Sequence, residues 1–175
     1  THVYLQKLDE VVSSGKNVLI LLPEISLTKQ IIFRLEKKYG KKLGYYHQKL
    51  TDFERVEVWK KIRNNELQIV IGTRNALFLP YQNLGLVIID EEHDYAYRPR
   101  EISPYFNGRD AALYLAGIYK ARTILSSATP SVESYYLSKT GKIRYVCLGE
   151  RYRGVALPKT ELIDFNEAQK SKTVN

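Results

Sequence analysis

The sequence predicts an α/β domain with a mainly parallel sheet flanked by helices. Short runs of β-branched residues and leucines alternate with helical patterns along the chain, and this alternation is typical of βαβ units. The runs are almost uninterrupted by polar residues, as expected of strands that are covered on both faces. A chain of 175 residues without internal repeats is long enough to enclose one hydrophobic core.

The composition is that of an ordinary globular protein with an excess of basic residues. The 27 basic and 19 acidic residues give a net charge of +8, which favours a polyanionic partner such as nucleic acid; a solvated lysine-rich surface is the alternative. Cys147 is the single cysteine, so an intrachain disulfide and a cysteine-rich zinc site are excluded and a reducing cytoplasm is favoured. No apolar run approaches the ~18 residues of a membrane span.

The chain opens with a helix and an inner strand. Residues 2–14 carry apolar side chains at helical spacing, and Gly15 ends the pattern. Because Thr1 is the first residue, this helix has no N-cap, and we expect it to be cut from a longer sequence. An inner strand over residues 17–22 follows and breaks at Pro23.

The turn after this strand is the first candidate contact with a phosphate group. Residues 23–28 lead into a helix that is expected to reach Tyr39, with Ser26 as its N-cap. The strand-to-helix turn that begins at Pro23 presents backbone N–H groups and the hydroxyls of Ser26 and Thr28, which are groups that hold phosphate. A plain cap and turn is an equally supported alternative.

The next helix has a defined start. A short strand over residues 43–46 precedes His47, a lone loop histidine that we interpret as structural or solvent-facing. Thr51 and Glu54 have the spacing of a capping box. The helix that follows is expected to run to residue 64 and to be lined by Phe53, Val56, Val58, Trp59 and Ile62.

A second candidate phosphate contact follows the inner strand predicted over residues 68–71. Gly72 allows close approach of a ligand, and Thr73, Arg74 and Asn75 supply a hydroxyl, a guanidinium and an amide. A turn in which the arginine pairs with a neighbouring acid is the alternative.

The most informative stretch is an apolar strand, residues 86–89, that ends in Asp90, Glu91, Glu92, His93 and Asp94. Carboxyl ends of parallel strands are where open α/β sheets bind ligands. Four acids within five positions crowd like charges and favour a cation such as Mg²⁺. A solvated loop is the plain alternative, and a two-metal nuclease centre is disfavoured because such sites collect carboxylates from several elements.

The segment of residues 95–106 is rich in aromatic residues, arginine and proline, and it shows no periodic pattern. A loop this long in a compact domain is frequently functional, either stacking on unpaired bases or packing against the sheet edge. A helix over residues 107–119 follows.

The last part of the chain predicts a further inner strand over residues 123–125, then a run of hydroxyl residues, 126–131, that can relay hydrogen bonds. A short helix over residues 131–140 and a last strand over residues 143–148 complete the pattern. The tail, residues 150–175, reads as a linker.

Together these segments resemble the first RecA-like domain of superfamily 2 helicases. The exact residues of these motifs narrow the resemblance to the bacterial helicases that restart replication. Residues 23–28 resemble motif Ia, residues 72–78 motif Ib, residues 90–93 a DEEH-type Walker B motif, and residues 127–129 motif III. The resemblance implies a three-layer RecA-like (P-loop NTPase) domain over residues 1–149, and a linker over residues 150–175 toward a second RecA-like domain that the chain does not contain.

The resemblance also implies roles for individual residues. Asp90 is expected to hold Mg²⁺ through water, and Glu91 to orient or deprotonate the water that attacks ATP. His93 is the third catalytic candidate, and Thr1 joins Asp90 and Glu91 at the nucleotide. DNA contacts are implied for Pro23, Ser26, Thr28, Gly72, Thr73, Arg74 and Asn75. Coupling of hydrolysis to DNA is implied for Tyr95, Tyr97, Arg98, Ser127, Ala128 and Thr129.

One departure from the helicase pattern concerns the P-loop. The chain has no G-x-x-x-x-G-K-[ST], and Thr1 matches only its final position, so we expect the chain alone to be nearly inert as an ATPase. Zinc is expected only in parts of the parent protein that the chain lacks.

The parent is expected to be an ATP-dependent 3′-to-5′ DNA helicase of the bacterial cytoplasm, associated with the nucleoid. Its implied partners are single-stranded and forked DNA, primosome proteins and single-strand-binding proteins. A non-enzymatic, basic nucleic-acid-binding module is the alternative.

Overall fold

A computed structural model describes residues 2–23, 29–98 and 105–149. The chain divides into two compact units, residues 1–136 and 137–175, and the sheet belongs to the first. The strands are β1 (Asn17–Leu21), β2 (Leu43–Tyr46), β3 (Ile69–Gly72), β4 (Leu84–Ile89) and β5 (Arg122–Leu125). The α-helices are α1 (His2–Ser13), α2 (Lys29–Tyr39), α3 (Asp52–Arg63), α4 (Gly108–Tyr119) and α5 (Val132–Lys139).

The five strands form one parallel sheet in the order β2-β3-β1-β4-β5. The central strand β1 is buried along its whole length, because its residues alternate between two apolar layers. Val18 and Ile20 pack in the layer that contains the apolar faces of α1 and α2. Leu19 and Leu21 pack in the opposite layer, with residues of α3 and α4. The predicted fold class, a parallel sheet flanked by helices, is therefore confirmed.

The helix starts predicted from local sequence are present where the structure describes them. Thr51 Oγ1 accepts a hydrogen bond from Glu54 N at 3.3 Å, and Glu54 Oε2 accepts one from Thr51 N at 2.8 Å, so the capping box of α3 is complete. Asn107 caps α4 by accepting from Arg109 N at 3.0 Å. The predicted N-cap of α2, Ser26, lies outside the described residues.

The apolar face predicted for α3 is mostly solvent-exposed. Ile62 is its one buried residue, Val58 is partly buried against the core, and Phe53 is 76% exposed. The reason is that α3 packs beside the edge strand β2, where only a narrow stripe of the helix meets the sheet.

One strand prediction is wrong in part, and a second is wrong. The strand predicted as inner at residues 123–125 is present as β5, but it lies at the edge of the described sheet and pairs with β4. Residues 143–148 form no strand, and within the described residues no strand pairs with them; Leu148 is 70% exposed. An apolar run becomes a strand only when a neighbour accepts its backbone hydrogen bonds.

The described part of the second unit, residues 137–149, contains the end of α5 and a turn. Gly141 adopts a left-handed backbone with φ of 74° there. The predicted linker of residues 150–175 lies outside the described residues. No helix that the structure describes has both the length and the apolar character needed to cross a membrane.

Candidate functional site

The candidate site lies where the carboxyl ends of the parallel strands meet. Leu22 N donates to Gly72 O at 2.9 Å, which joins the segments that leave β1 and β3. Asp90 N donates to Leu21 O at 3.0 Å, which joins the end of β4 to that of β1. Pro23, half-buried, follows directly. The residues predicted from three separate motifs therefore come from neighbouring strand ends.

Asp90 is held at this edge by its own backbone. Its carbonyl oxygen accepts a hydrogen bond from the Tyr97 hydroxyl at 2.8 Å, and its N–H is bonded to β1. Tyr97 is buried, and burial, with a smaller contribution from Asp90, raises the pKa of its hydroxyl well above the ordinary range. The hydroxyl therefore stays protonated and keeps donating to Asp90.

Glu91, His93 and Ser127 form a short contact chain between the ends of β4 and β5. Nδ1 of His93 lies 2.6 Å from Ser127 Oγ and 3.6 Å from Glu91 Oε2. Ser127 Oγ also accepts a hydrogen bond from Thr129 N at 3.0 Å, while the neighbouring Ala128 is exposed. The structure thus brings together side chains that sequence reasoning assigned to the Walker B-like and motif III-like segments.

The four acids do not form one crowded cluster. The Glu91 side chain is half exposed, whereas that of Glu92 is 1% exposed and lies in the interior. Asp94 Oδ1 accepts from Ala96 N at 2.7 Å and caps the short 3-10 helix Tyr95–Tyr97. Nowhere in residues 2–23, 29–98 and 105–149 do three His, Cys, Asp or Glu side chains gather in a way that could hold a metal. The expectation of crowded like charges is therefore wrong, because the turn after β4 sends successive carboxylates in different directions.

The turn after β3 places an arginine against an aromatic ring. Gly72 is packed so closely that a Cβ there would lie 2.6 Å from Tyr46 O, and Thr73 N donates to the same oxygen at 3.1 Å. The guanidinium carbon of Arg74 lies 5.3 Å from the Phe106 ring centroid, and Nη1 of Arg74 is buried with no acceptor among the described residues. Among residues 2–23, 29–98 and 105–149, no acid forms the ion pair with Arg74 that the alternative interpretation requires.

The remaining predicted residues divide by burial. Asn75 is exposed, Tyr95 is 62% exposed, and Arg98 Nη1 and Nη2 each lie 3.2 Å from Glu133 Oε1. Tyr97 instead packs in the core, which is the packing alternative for the aromatic segment. Thr1, Ser26 and Thr28 lie outside the described residues, as do residues 99–104.

Sequence reasoning missed a buried polar network centred on Glu92. Its partners are Arg109 at the start of α4 and Ser131 and Ser134 at the start of α5. Burial by itself raises the pKa of the Glu92 carboxyl, but bonds from the Ser131 N–H, from Arg109 and from the serine hydroxyls outweigh burial and lower that pKa. No spacing rule links these residues, because they are far apart in sequence.

Comparison with known proteins identifies relatives of this chain by sequence. The replication restart protein PriA of Chlamydia pneumoniae is 40% identical over 174 residues, which cover 99% of this chain and 23% of that protein. PriA of Bacillus subtilis (strain 168) is 35% identical over 167 residues, which cover 95% of this chain and 21% of that protein. The chain thus spans about a quarter or less of the length of the curated relatives it matches.

The fold also has solved counterparts. The structure of the DUF1998 helicase MrfA bound to DNA and AMPPNP matches 76% of this chain and 18% of that chain, with a TM-score of 0.50 and 14% sequence identity. That likeness concerns the fold alone, and it agrees with the RecA-like architecture predicted above. A sequence profile of the DEAD/DEAH box helicases matches residues 1–136, from α1 into α5 and through every segment of the candidate site. By this sequence match, the chain belongs to the DEAD/DEAH box helicase family.

Proposed function

We propose that this chain is part of the motor domain of an ATP-dependent DNA helicase that acts in replication restart. The observation that carries the proposal is the contact of His93 with both Glu91 and Ser127, at 3.6 and 2.6 Å. It joins the end of β4, where a nucleotide-hydrolysing carboxylate is expected, to the segment after β5. The names of the PriA relatives and the membership of a helicase family support the same activity.

The residues at the end of β4 fit a Mg²⁺–nucleotide complex. Mg²⁺ prefers one or two carboxylates together with phosphate oxygens and water, and Asp90 and Glu91 supply carboxylates at the sheet edge where α/β folds bind ligands. The bound cation would neutralise negative charge on the phosphates. Asp90 would hold it through water, and Thr1 would lie at the phosphates.

Glu91 is our candidate general base in ATP hydrolysis. Its half-exposed carboxylate can accept a hydrogen bond from a water molecule and orient that water toward the terminal phosphate. His93 lies between Glu91 and Ser127. A movement of the segment 126–131 would therefore change the position of His93 relative to the Glu91 carboxylate. His93, Ser127, Ala128 and Thr129 are accordingly proposed to couple hydrolysis to movement on DNA.

The segments that leave β1 and β3 are proposed to hold a single DNA strand by its phosphates. Pro23, Ser26 and Thr28 would act with the turn of residues 72–75, where Arg74 has a buried nitrogen without an acceptor in the described structure. Arg74 stacks on Phe106, the last residue of the aromatic segment, and Tyr95, Tyr97 and Arg98 lie in sequence between the proposed nucleotide edge at Asp90 and Phe106. This arrangement supports their assignment to coupling.

The proposed partners of the whole protein are single-stranded and forked DNA, primosome proteins and single-strand-binding proteins, within the bacterial cytoplasm at the nucleoid. The names of the PriA relatives support the role in replication restart from which these partners are inferred.

The experiment that tests the function compares Glu91→Gln with wild type in the complete protein that contains this chain. We expect kcat for DNA-stimulated ATP hydrolysis to fall about 10²- to 10⁴-fold, because a general base is lost, while ATP binding is retained. Glu57→Gln on α3, a partly exposed member of a weak ion pair, is the matched control and should keep full activity. Undiminished turnover by Glu91→Gln would exclude the assigned base, and DNA cleavage with Mg²⁺ but no nucleotide would indicate a nuclease instead.

A further inference from the structure

Glu92, the residue next to the proposed base Glu91, has a buried side chain, and both of its carboxylate oxygens accept hydrogen bonds. Glu92 Oε1 accepts from Ser131 N at 2.7 Å, and Glu92 Oε2 accepts from Ser131 Oγ and Ser134 Oγ at 3.0 Å and from Arg109 Nη1 at 3.1 Å. A carboxylate with four donors is firmly fixed. Glu92 therefore anchors the turn that carries Glu91 and His93.

Arg109 is the charged partner in this anchor. It is 5% exposed, and besides Glu92 it bonds to Ser131 Oγ at 2.7 Å through Nη1 and to Asp110 Oδ1 at 2.9 Å through Nε. A planar guanidinium has several N–H donors in fixed directions and can bond to these partners simultaneously, whereas an ammonium group is a compact point charge. The geometry of Arg109, and not only its charge, is thus used.

The anchor joins three separate segments of the chain. Glu92 follows β4, Arg109 is in the first turn of α4, and Ser131 and Ser134 surround the start of α5. The backbone adds a fourth link, because Glu92 N donates to Ser126 O at 3.0 Å, directly before Ser127. The segment with the proposed base and the segment with Ser127 are therefore held by one network.

The backbone at Glu91 needs such support. Glu91 has φ of 48°, a left-handed conformation that is unfavourable for residues with a Cβ and persists when the surroundings enforce it. The bonds on either side supply that enforcement, from Tyr97 to Asp90 and from the network to Glu92. If the anchor at Glu92 loosens, the direction of the Glu91 side chain changes with it.

We infer that the Glu92–Arg109 pair is a positioning device that aims Glu91 and keeps His93 against Ser127. The inference rests on the proposed ATPase function. Arg109 does not contact the reacting atoms in this arrangement, so its loss should lower kcat and leave the KM for ATP nearly unchanged. It should also weaken the stimulation of hydrolysis by DNA, because Ser126 and Ser131 flank the proposed coupling segment.

The test is Arg109→Lys in the complete protein, which keeps the charge and removes the fork. We expect a fall in kcat of about ten- to a hundredfold, as for a small misplacement of a catalytic group, with KM for ATP within about twofold and a wild-type thermal unfolding profile. Arg122→Lys in β5, an arginine whose side chain is 70% exposed, is the matched control and should keep wild-type kcat. A folded Arg109→Lys protein with wild-type kcat and DNA stimulation would overturn the positioning role.

A second variant covers the case in which Arg109→Lys does not fold. The pair Glu92→Gln with Arg109→Gln removes both buried charges, so neither is left uncompensated, and it should fold but show the same loss of kcat. Failure of both variants to fold would assign the pair a structural role only and overturn the inference. If wild type hydrolyses ATP and Glu91→Gln does not, the proposed function stands and these variants decide the inference alone; a wild type without turnover overturns both.

Discussion

At the scale of single residues, the site depends on a turn that separates neighbouring carboxylates. Glu91 faces solvent and His93, while Glu92 is buried against Arg109. The left-handed backbone of Glu91 makes this possible, since it turns the chain sharply between the two side chains. Two adjacent glutamates thereby acquire different environments, one suited to chemistry and the other to anchoring.

The Glu92 carboxylate should make stability depend on pH. Its pKa in the folded protein lies below its ordinary value of 4.5, so its stabilising effect is complete above that value and is lost as the pH falls through the folded pKa. Glu92→Gln removes the buried carboxylate partner of Arg109, which keeps its bonds to Asp110 and to the Ser131 hydroxyl, so the substitution should cost about 1–3 kcal/mol at neutral pH. We expect the difference in unfolding free energy between wild type and Glu92→Gln to shrink below pH 4.5.

Urea unfolding at a series of pH values measures this difference. Asp110 and Glu133 also lie near Arg109, but both residues are present in the two proteins, so the difference isolates Glu92. Glu57→Gln should change stability by less than about 0.5 kcal/mol, as expected of a surface site. A wild-type advantage that stays constant down to pH 3 would contradict the assigned titration.

At the scale of elements, β3 and the 3-10 helix Arg74–Phe78 form a tightly packed corner. A Cβ on Gly72 would lie 2.5 Å from the Ala76 Cβ as well as 2.6 Å from Tyr46 O. The latter is backbone of the edge strand β2 and cannot move like a flexible side chain. The absence of a side chain at Gly72 thus sets where Thr73 and Arg74 begin.

Gly72→Ala should therefore destabilise the protein by about 1–3 kcal/mol, as overpacking does, and weaken binding of single-stranded DNA. Gly117→Ala is the matched control, since nothing lies within 4 Å of a Cβ there, and alanine in a helix should add about 0.5–1 kcal/mol of stability. Thermal unfolding and DNA titration of both variants provide the measurement. Equal stability of the two variants would show that the corner relaxes without cost.

Sequence patterns predicted those features of the fold that are encoded locally. The apolar runs predicted β1, β3 and β4, and the spacing of Thr51 and Glu54 predicted the start of α3. Sequence patterns could not show how much of an apolar helix face or apolar run would pack against another element. The exposure of Phe53 and the lack of a strand at residues 143–148 depend on which other elements pack beside them, and that is tertiary information.

The candidate site was predictable to a similar extent. The acids after β4 and the hydroxyls after β5 could be recognised in sequence because the carboxyl ends of parallel strands share one edge. The ion pair of Glu92 with Arg109 could not, since the two residues are 17 positions apart and belong to different elements. Charge type alone does not distinguish a buried anchor from a solvated acid.

At the scale of the whole molecule, the net charge of +8 attracts any polyanion. Such attraction does not specify where a strand lies. A more specific indicator of where a DNA strand binds is a cationic side chain at the sheet edge that has one buried nitrogen without an acceptor among the described residues. Arg74 is this cation, and its stacking on Phe106 limits the directions in which the guanidinium can point.

Arg74→Gln should therefore reduce the salt dependence of single-stranded DNA binding, and not just the affinity. Each phosphate contact contributes about 0.7 to the slope of log K against log salt on single strands, so loss of one contact should make the slope shallower by about that amount. Lys7→Gln on α1 removes an equal charge from an exposed pair with Glu10 and should leave the slope unchanged. Fluorescence anisotropy across a salt series measures both slopes. Equal slopes for the two variants would mean that Arg74 contributes only to the general positive field, and the turn after β3 would then lose its assignment as a DNA contact.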